Sequence, residues 1–473
     1  MTNLPPKSPA FSRRDTLKTL GAGAIGAAAA AHPLTAFAQT PARKPNFLFI
    51  MADDLGYADL SCYGRREYRT PVLDRLATQG IRLTSAYANS AICSPTRLAL
   101  ITGRYQYRIP AGLVEPLGGT GHGLDPAHPT LPSLLKAQGY HTALIGKWHM
   151  GSLPDYGPLK SGYDEFWGNR GGAVDYFSHG FGRGSDLWDG DVQIEESGYY
   201  TDMLAQRSLQ FLDARAKADK PWLLSLHFTA PHWPWEGPGD KAESDRIAGK
   251  IVHYDGGSLA TYAEMVTALD AAIGRVLARL SELGLDEETV VVFTSDNGGE
   301  RFSDNWPFTG MKSELLEGGL RVPLIVRWPG VTVAGSTSDV PAISMDFLPT
   351  FLAAAGGAPD PAYPSDGVDL RPVLAGATPS DRPLFWRFGR RNQKALRLGR
   401  YKYLSIDGND FLFDVVTDPL ERANLKERQP AIFAEFQARF ETWNATMLTD
   451  PTARSYGFEP DQLADHFGPV QPR

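Results

Sequence analysis

Short apolar runs, each ending in a knot of polar and charged residues, recur along this chain between amphipathic stretches. That alternation restricts the fold to an α/β sheet. The runs at 46–51, 142–145, 222–228, 289–294 and 323–326 read as strands. Residues 132–138 and 261–283, where Ala, Leu, Ile and Val recur at helical spacing, read as helices. The residues just past the strands are polar: Ala52-Asp53-Asp54, Gly146-Lys147-Trp148-His149, Pro231-His232-Trp233 and Ser295-Asp296-Asn297-Gly298-Gly299. Open α/β sheets build their sites just past the carboxyl ends of strands, so these residues are the first candidates. Beyond about residue 375 the pattern changes. Residues 394–405 and 411–416 alternate as a hairpin would, with Asp407-Gly408-Asn409-Asp410 as the turn, and 429–447 reads as an amphipathic helix. The expected division is a catalytic α/β domain over 44–375 and a small antiparallel subdomain with a helix over 376–473.

The chain has 473 residues, 42% of them hydrophobic, enough for a large core and more than a usual single domain. Cys62 and Cys93 are its only cysteines, which excludes a disulfide framework, and Cys62 reads as a small packed thiol. At the N-terminus, Ser12-Arg13-Arg14-Asp15-Thr16-Leu17-Lys18 precedes an uncharged run over 19–31 and the small-x-small site Ala36-Phe37-Ala38. This predicts an export signal over 1–38, whose apolar run is too short for a resident membrane helix. The paired arginines followed by Leu and Lys resemble a twin-arginine signal, a route that carries folded proteins. A periplasmic or secreted location is therefore expected, with the twin-arginine export machinery as a partner. Residues 1–38 hold four basic groups and one acidic, so their removal takes the formal charge from −7 to −10. Such a chain does not bind nucleic acid non-specifically, and an anionic substrate needs a local cationic cluster.

Paired carboxylates directly after an apolar strand repel each other unless a cation sits between them, so Asp53-Asp54 suggests a metal. Asp296-Asn297 offers the same chemistry, and the all-oxygen set favours Ca²⁺ or Mg²⁺ over zinc. Taken singly, Asp-Asp and Asp-Asn-Gly are also turn and cap sequences. A lone cysteine is commonly a buried, inert thiol. His227, inside an apolar run, is assigned to the core.

Together these tracts carry a resemblance. Cys93-Ser94-Pro95-Thr96-Arg97, continuing to Thr102-Gly103-Arg104, resembles the C-x-P-x-R signature of type I sulfatases, in the alkaline phosphatase superfamily; Thr96 stands where Ser or Ala is commoner. Gly146-Lys147-Trp148-His149 and Pro231-His232-Trp233-Pro234 resemble that family's histidine tracts. Gly310-Met311-Lys312 leading to Glu317-Gly318-Gly319-Leu320-Arg321 resembles its second lysine element, and Phe411-Leu412-Phe413-Asp414 its C-terminal element.

The likeness runs from about residue 44 to 425. It implies a large mixed sheet sandwiched by helices with a small C-terminal antiparallel sheet plus helix, and hydrolysis of sulfate monoesters of carbohydrates or aryl alcohols. It further implies that a formylglycine-generating enzyme oxidises Cys93 to Cα-formylglycine, whose hydrate is the nucleophile. One Ca²⁺ would be held by Asp53, Asp54, Asp296, Asn297 and the modified Cys93. Arg97 would orient the hydrate, Lys147 and Lys312 would take sulfate oxygens, and Asp296 would accept the proton of the attacking hydroxyl. His149 would assist expulsion of sulfate, and His232 with Lys312 would serve the leaving oxygen. Two other readings stay open: a phosphonate monoester or phosphodiester hydrolase on the same scaffold, and a non-catalytic sulfoglycan-binding protein if Cys93 remains a thiol. Trp233, Trp235, Tyr176, Trp188 and Tyr254 could stack on sugar rings and Arg170 could meet a second anion, or all could simply pack under loops.

Overall fold

The computed structural model describes residues 44–449 except 117–120, 181–183 and 251. The expected signal over 1–38 and the end of the 376–473 subdomain lie outside the described residues.

Ten strands make one mixed sheet: β1 (Asn46–Ala52), β2 (Ile81–Leu83), β3 (His141–Gly146), β4 (Glu165–Gly168), β5 (Trp188–Asp189), β6 (Val192–Gln193), β7 (Trp222–His227), β8 (Thr289–Ser295), β9 (Leu324–Arg327) and β10 (Ser336–Ser338). Their order is β10-β2-β9-β8-β1-β7-β3-β4-β5-β6. The centre is parallel, with β1 between β7 and β8, and β3 between β7 and β4. β9 runs antiparallel to both β8 and β2. All seven residues of β1 are buried. Leu48 and Ile50 point to one apolar cluster, Phe47, Phe49 and Met51 to another, so helices cover both faces. A strand covered on both faces reads as a continuous apolar run, and that is why the central strands were legible.

Helices α1 (Pro71–Gln79), α2 (Cys93–Thr102), α3 (Leu131–Ala137), α4 (Tyr200–Arg215), α5 (Leu259–Glu282) and α6 (Phe347–Ala354) supply those covers. On one side α5 presents Tyr262, Met265, Leu269, Ile273 and Val276, and its Ser258 cap accepts from Thr261 N. Each such side chain contributes roughly 1.5–3 kcal/mol by leaving water. On the other side lies α2, buried at all ten positions and ended by Gly103 at φ 66°. It therefore has no polar face and no amphipathic period to betray it in the sequence.

The C-terminal region corrects one expectation. Residues 394–405 are not one hairpin arm: a turn at Gly399 (φ 58°) divides them. The sheet has four antiparallel strands in chain order, β11 (Leu384–Phe388), β12 (Gln393–Leu398), β13 (Tyr401–Ile406) and β14 (Asn409–Asp414). Asp407 and Gly408, both at positive φ, make the two-residue turn between β13 and β14. Helix α7 (Pro430–Asn444) lays Phe436, Phe440 and Trp443 on this sheet. A buried ion network ties it to the segment that precedes β9. Lys402 Nζ on β13 lies 3.0 Å from Glu317 and 2.9 Å from Glu421, and Glu317 also receives Arg321 at 2.6 Å and the Tyr87 hydroxyl at 2.7 Å. Glu317 closes the loop that begins at Lys312, so the subdomain braces a segment carrying a candidate site residue.

Candidate active site

Four neighbouring strand ends and one helix start deliver the site. β1 leads to Asp53 and Asp54, β3 to Lys147 and His149, β7 to His232, β8 to Asp296 and Asn297, and α2 opens at Cys93. The sequence holds these residues in separate loops; the strand order β8-β1-β7-β3 puts them side by side. Asp54 and His149 hold left-handed backbone conformations (φ 60° and 58°), as does Ser313 beside Lys312 (φ 72°). Strain of this kind costs roughly 1–3 kcal/mol per residue and persists where the surroundings impose it.

Cys93 Sγ is 3.2 Å from Asp53 Oδ1 and 3.8 Å from Asp54 Oδ1. On either side stands a lysine: Lys147 Nζ donates to Asp53 Oδ2 and Lys312 Nζ to Asp54 Oδ2, each at 2.6 Å. Arg97 donates through Nη2 and Nε to Asp296 Oδ2 (2.7 and 3.0 Å), with Nη2 3.7 Å from Asp53. Both Asp296 oxygens are engaged, since Oδ1 accepts from Asp54 N. Asp53 is thus the carboxylate closest to the side chain of residue 93. His232 Nδ1 is 2.7 Å from its neighbour's carbonyl, Trp233 O, which leaves Nε2 facing Asp54 at 3.5 Å. His149 Nε2 is 3.6 Å from Glu115. The ring lies over Gly172, where a Cβ would come within 2.5 Å of Cε1 and 2.6 Å of Nε2.

Burial sets the protonation states. It raises Asp53, with Asp296 adding to the effect, to about 7 despite Lys147 and Arg97. Burial also opposes ionisation of Asp296, but Arg97 and Lys147 outweigh it and hold that carboxyl below its ordinary range. Burial and then the lysines push His149 and His232 well below the ordinary imidazole value, so both rings are neutral bases. The Cys93 thiol is raised well above its usual value by burial, Asp296 and Asp53. An unmodified thiol there is no thiolate nucleophile.

The pocket suits a hard divalent cation. Asn297 Oδ1 is buried with no hydrogen-bond partner among the described residues, while its Nδ2 donates to Asp54 Oδ1 at 2.7 Å. Donor atoms of Asp53, Asp54, Cys93 and His232 lie within 4.8 Å of one another. Carboxylate oxygens and an amide oxygen with nothing to accept are the ligands such an ion takes.

The contacts above join Asp53, Asp54, Cys93, Arg97, Lys147, His232, Asp296, Asn297 and Lys312, while the His149 ring meets Glu115 and Gly172, and other expectations change. His227 is buried, as expected, yet its Nδ1 sits 3.3 Å from Arg97 Nη1, and burial followed by Arg97 pushes it down to about 3. It buttresses the site's arginine rather than only filling the core. Tyr176 and Trp235 are fully buried and Trp233 nearly so, which excludes them as open stacking platforms. Tyr176 instead donates its hydroxyl to His232 O at 2.9 Å. Arg170 is buried, paired to Asp191 at 2.7 Å and stacked 4.2 Å from the half-buried Trp188 ring; of the set, Tyr254 is exposed. Cys62 is half-buried, its thiol pushed up to about 12 by burial and Asp74. Sequence reasoning missed Glu300 and Gly172. Glu300 is buried with Oε1 3.8 Å from Lys312 Nζ, and its one sequence signal was its place at the end of Asp296-Asn297-Gly298-Gly299-Glu300.

A mixed sheet carrying clustered carboxylates, two lysines and a helix-start cysteine at its strand ends is the arrangement of a hydrolase site, and the comparisons place it in the alkaline phosphatase superfamily. Within it, the chain belongs to the sulfatase family, whose model, described as "Sulfatase", matches residues 45–358. It is 32% identical over 413 residues to the N-acetylgalactosamine-6-sulfatase of dog, Canis lupus familiaris (82% of this chain, 74% of the relative). It is 34% identical over 407 residues to human arylsulfatase A (80% and 78%). The solved structure of Ps i-CgsB in complex with k-i-k-neocarrahexaose superposes with a TM-score of 0.79 at 29% identity, over 87% of this chain and 95% of that one. The protein is a sulfuric ester hydrolase, of a family that uses formylglycine and a divalent metal.

Proposed function

We propose that the protein is an exported sulfatase acting on sulfated saccharides, with formylglycine made from Cys93 and one Ca²⁺ held by Asp53, Asp54, Asp296, Asn297 and the modified residue 93. The supporting observation is the flanking of side chain 93 by Lys147 and Lys312, each 2.6 Å from a carboxylate that touches it. Bound Ca²⁺ would neutralise the buried carboxylates and polarise oxygens of the sulfate group. Lys147 and Lys312 then bind non-bridging sulfate oxygens, whose negative charge persists through the reaction. Arg97 fixes Asp296 and Asp53, and so the geometry around residue 93. Asp53, in contact with that residue, and Asp296 are the carboxylates able to take its proton. His232, neutral and with Nδ1 donating to Trp233 O, presents an unprotonated Nε2 on the leaving-group side, so it takes a proton there from the Lys312 ammonium and passes it to the leaving oxygen as that oxygen gains charge. His149, neutral and held over Gly172, is the base on the opposite side.

A saccharide is favoured by an open cavity of about 400 Å³ that begins at Ser90 and Pro95, passes Glu115 and reaches Arg387 and Gln393 of the C-terminal sheet. The similarity to a structure that holds a neocarrahexaose points the same way. The paired arginines near the N-terminus support twin-arginine export, and a formylglycine-generating enzyme would act before it. Among the described residues no helix is long and apolar enough to cross a membrane.

Matched aryl sulfate and aryl phosphonate esters, assayed beside defined sulfated saccharides, test the reading. Sulfate esters should win on kcat/KM, with saccharides above aryl sulfates. Preference for the phosphonate would transfer the protein to the alternative hydrolase class.

A further inference from the structure

Lys147 and Lys312 flank side chain 93, but the sheet holds only the first of them. Lys147 follows β3, and its N donates to His227 O on β7 at 2.9 Å. Lys312 stands in a turn outside the strands and helices, so its backbone depends on other loops and on side chains for partners. Its N donates to Gly299 O at 3.1 Å, and the next residue, Ser313, has φ 72°. A left-handed serine persists only where its surroundings impose that conformation. Both backbone polar groups of Ser313 are held: its N donates to Ala91 O, two residues before Cys93, at 2.8 Å, and its O accepts from Gln393 Nε2 at 2.9 Å. Gln393 Nε2 also donates to Arg390 O at 3.1 Å, and Gln393 Oε1 accepts from Leu315 N at 2.8 Å.

We propose that Gln393, the first residue of β12, is a positioning residue that fixes Lys312 through the backbone of Ser313 and Leu315. Gln393 lines the cavity that reaches the C-terminal sheet, but it is 2% exposed. Both its amide hydrogens and its oxygen are engaged, so the side chain serves the loop and not a sugar hydroxyl. The amide grips the chain one and three residues after Lys312, and so holds the turn from which Nζ reaches Asp54 Oδ2 at 2.6 Å. The C-terminal region makes two other ties to this loop, from Thr309 Oγ1 to Leu420 O at 2.7 Å and from Glu317 N to Glu421 Oε2 at 2.6 Å. They lie three residues before Lys312 and five after it, which leaves the turn itself to Gln393. One lysine of the site is thus set by the main sheet and the other by the C-terminal sheet.

The inference rests on the role proposed for Lys312, so a kinetic cycle is paired with a measurement that needs no turnover. Gln393→Met keeps the length of the side chain and loses all three bonds. With metal content unchanged by elemental analysis, it should lower kcat for aryl sulfates about 10-fold, and Lys312→Ala about 100-fold, the latter within the range of a lost oxyanion donor. Because Gln393 acts through Lys312, the double variant should be no slower than Lys312→Ala alone. A double variant about 10-fold slower still, the additive result, overturns the proposal, as does a wild-type kcat in Gln393→Met. Gln393→Glu keeps the acceptor for Leu315 N and loses the amide hydrogens; it should fall between wild type and Gln393→Met, and it completes the same cycle should Gln393→Met fail to fold. Hydrogen–deuterium exchange over residues 309–317 reads the anchoring itself. Uptake there should rise in Gln393→Met while uptake over 141–147 stays, and equal uptake in variant and wild type over 309–317 overturns the proposal as well. Raised uptake together with wild-type turnover in Lys312→Ala would instead contradict the catalytic role of Lys312 and leave the anchor standing.

Discussion

At the scale of single residues the site depends as much on what is missing as on what is present. His149 has no hydrogen-bond partner for either ring nitrogen among the described residues; its backbone N donates to Arg170 O at 3.1 Å, Glu115 comes to 3.6 Å of Nε2, and the seat of the ring is otherwise a matter of shape. Its support is the bare backbone of Gly172. A methyl there would lie 2.5 Å from the ring, well inside ordinary contact. Gly172→Ala should displace His149 and lower kcat by about 10²-fold, the scale of losing a general acid–base group, with metal content and Tm close to wild type. Unchanged turnover in a folded Gly172→Ala protein would show that His149 needs no such seat. Nothing in the sequence pointed to this glycine, because its importance lies in an approach between loops after two different strands. His227 was legible as a core residue, but its contact with Arg97 was not, for a related reason. Its place in an apolar run identified its burial, but whether a buried imidazole meets carbon or a guanidinium depends on α2, which packs there from more than a hundred residues away in sequence.

At the scale of elements, the loops after β4 and β7 are joined by two buried carboxyls. Asp175 Oδ1 accepts from Phe177 N, Ser178 N and Ser244 Oγ, Glu236 Oε2 from Tyr176 N, and the two side chains hydrogen-bond each other. Two carboxyls bond only if they share a proton. Burial and then the Asp175 charge raise Glu236 to about 9, while the bonds around Asp175 keep it ionised. A carboxyl raised from 4.5 to about 9 on folding holds its proton in the native state and loses it in the unfolded one across that interval. Its contribution to stability therefore declines as pH rises from 4.5 through about 9. Glu236→Gln carries its amide hydrogens at every pH, so Tm measured across this interval should fall less steeply than in wild type; an identical slope would refute proton sharing. These two loops carry Tyr176 and His232, so the pair stiffens one wall of the site. Elements with a clear period were legible in the sequence: β1, β7, β8 and the long α5 stand within a few residues of expectation. α2 was not, being buried on every side, and the division of 394–405 was missed because Gly399-Arg400 is a weak turn signal inside an alternating run.

At the scale of the whole molecule, the parallel centre of the sheet brings four strand ends together, and the C-terminal sheet braces the Lys312 loop through Lys402, Glu317 and Glu421. The motifs named the site's residues because each carries its chemistry in a contiguous tract. What they could not supply was which cation meets which carboxylate, because that depends on packing between tracts. The central claim is that side chain 93, once oxidised, is the nucleophile of a sulfate-ester hydrolase, and that the buried thiol, held protonated beside Asp53 and Asp296, is not. One measurement tests it directly: sulfate released per mole of protein, across preparations in which peptide mass spectrometry gives the fraction of residue 93 converted to aldehyde. Turnover should rise in proportion to that fraction and vanish when it is zero; appreciable sulfate release from protein with only intact Cys93 would contradict the account.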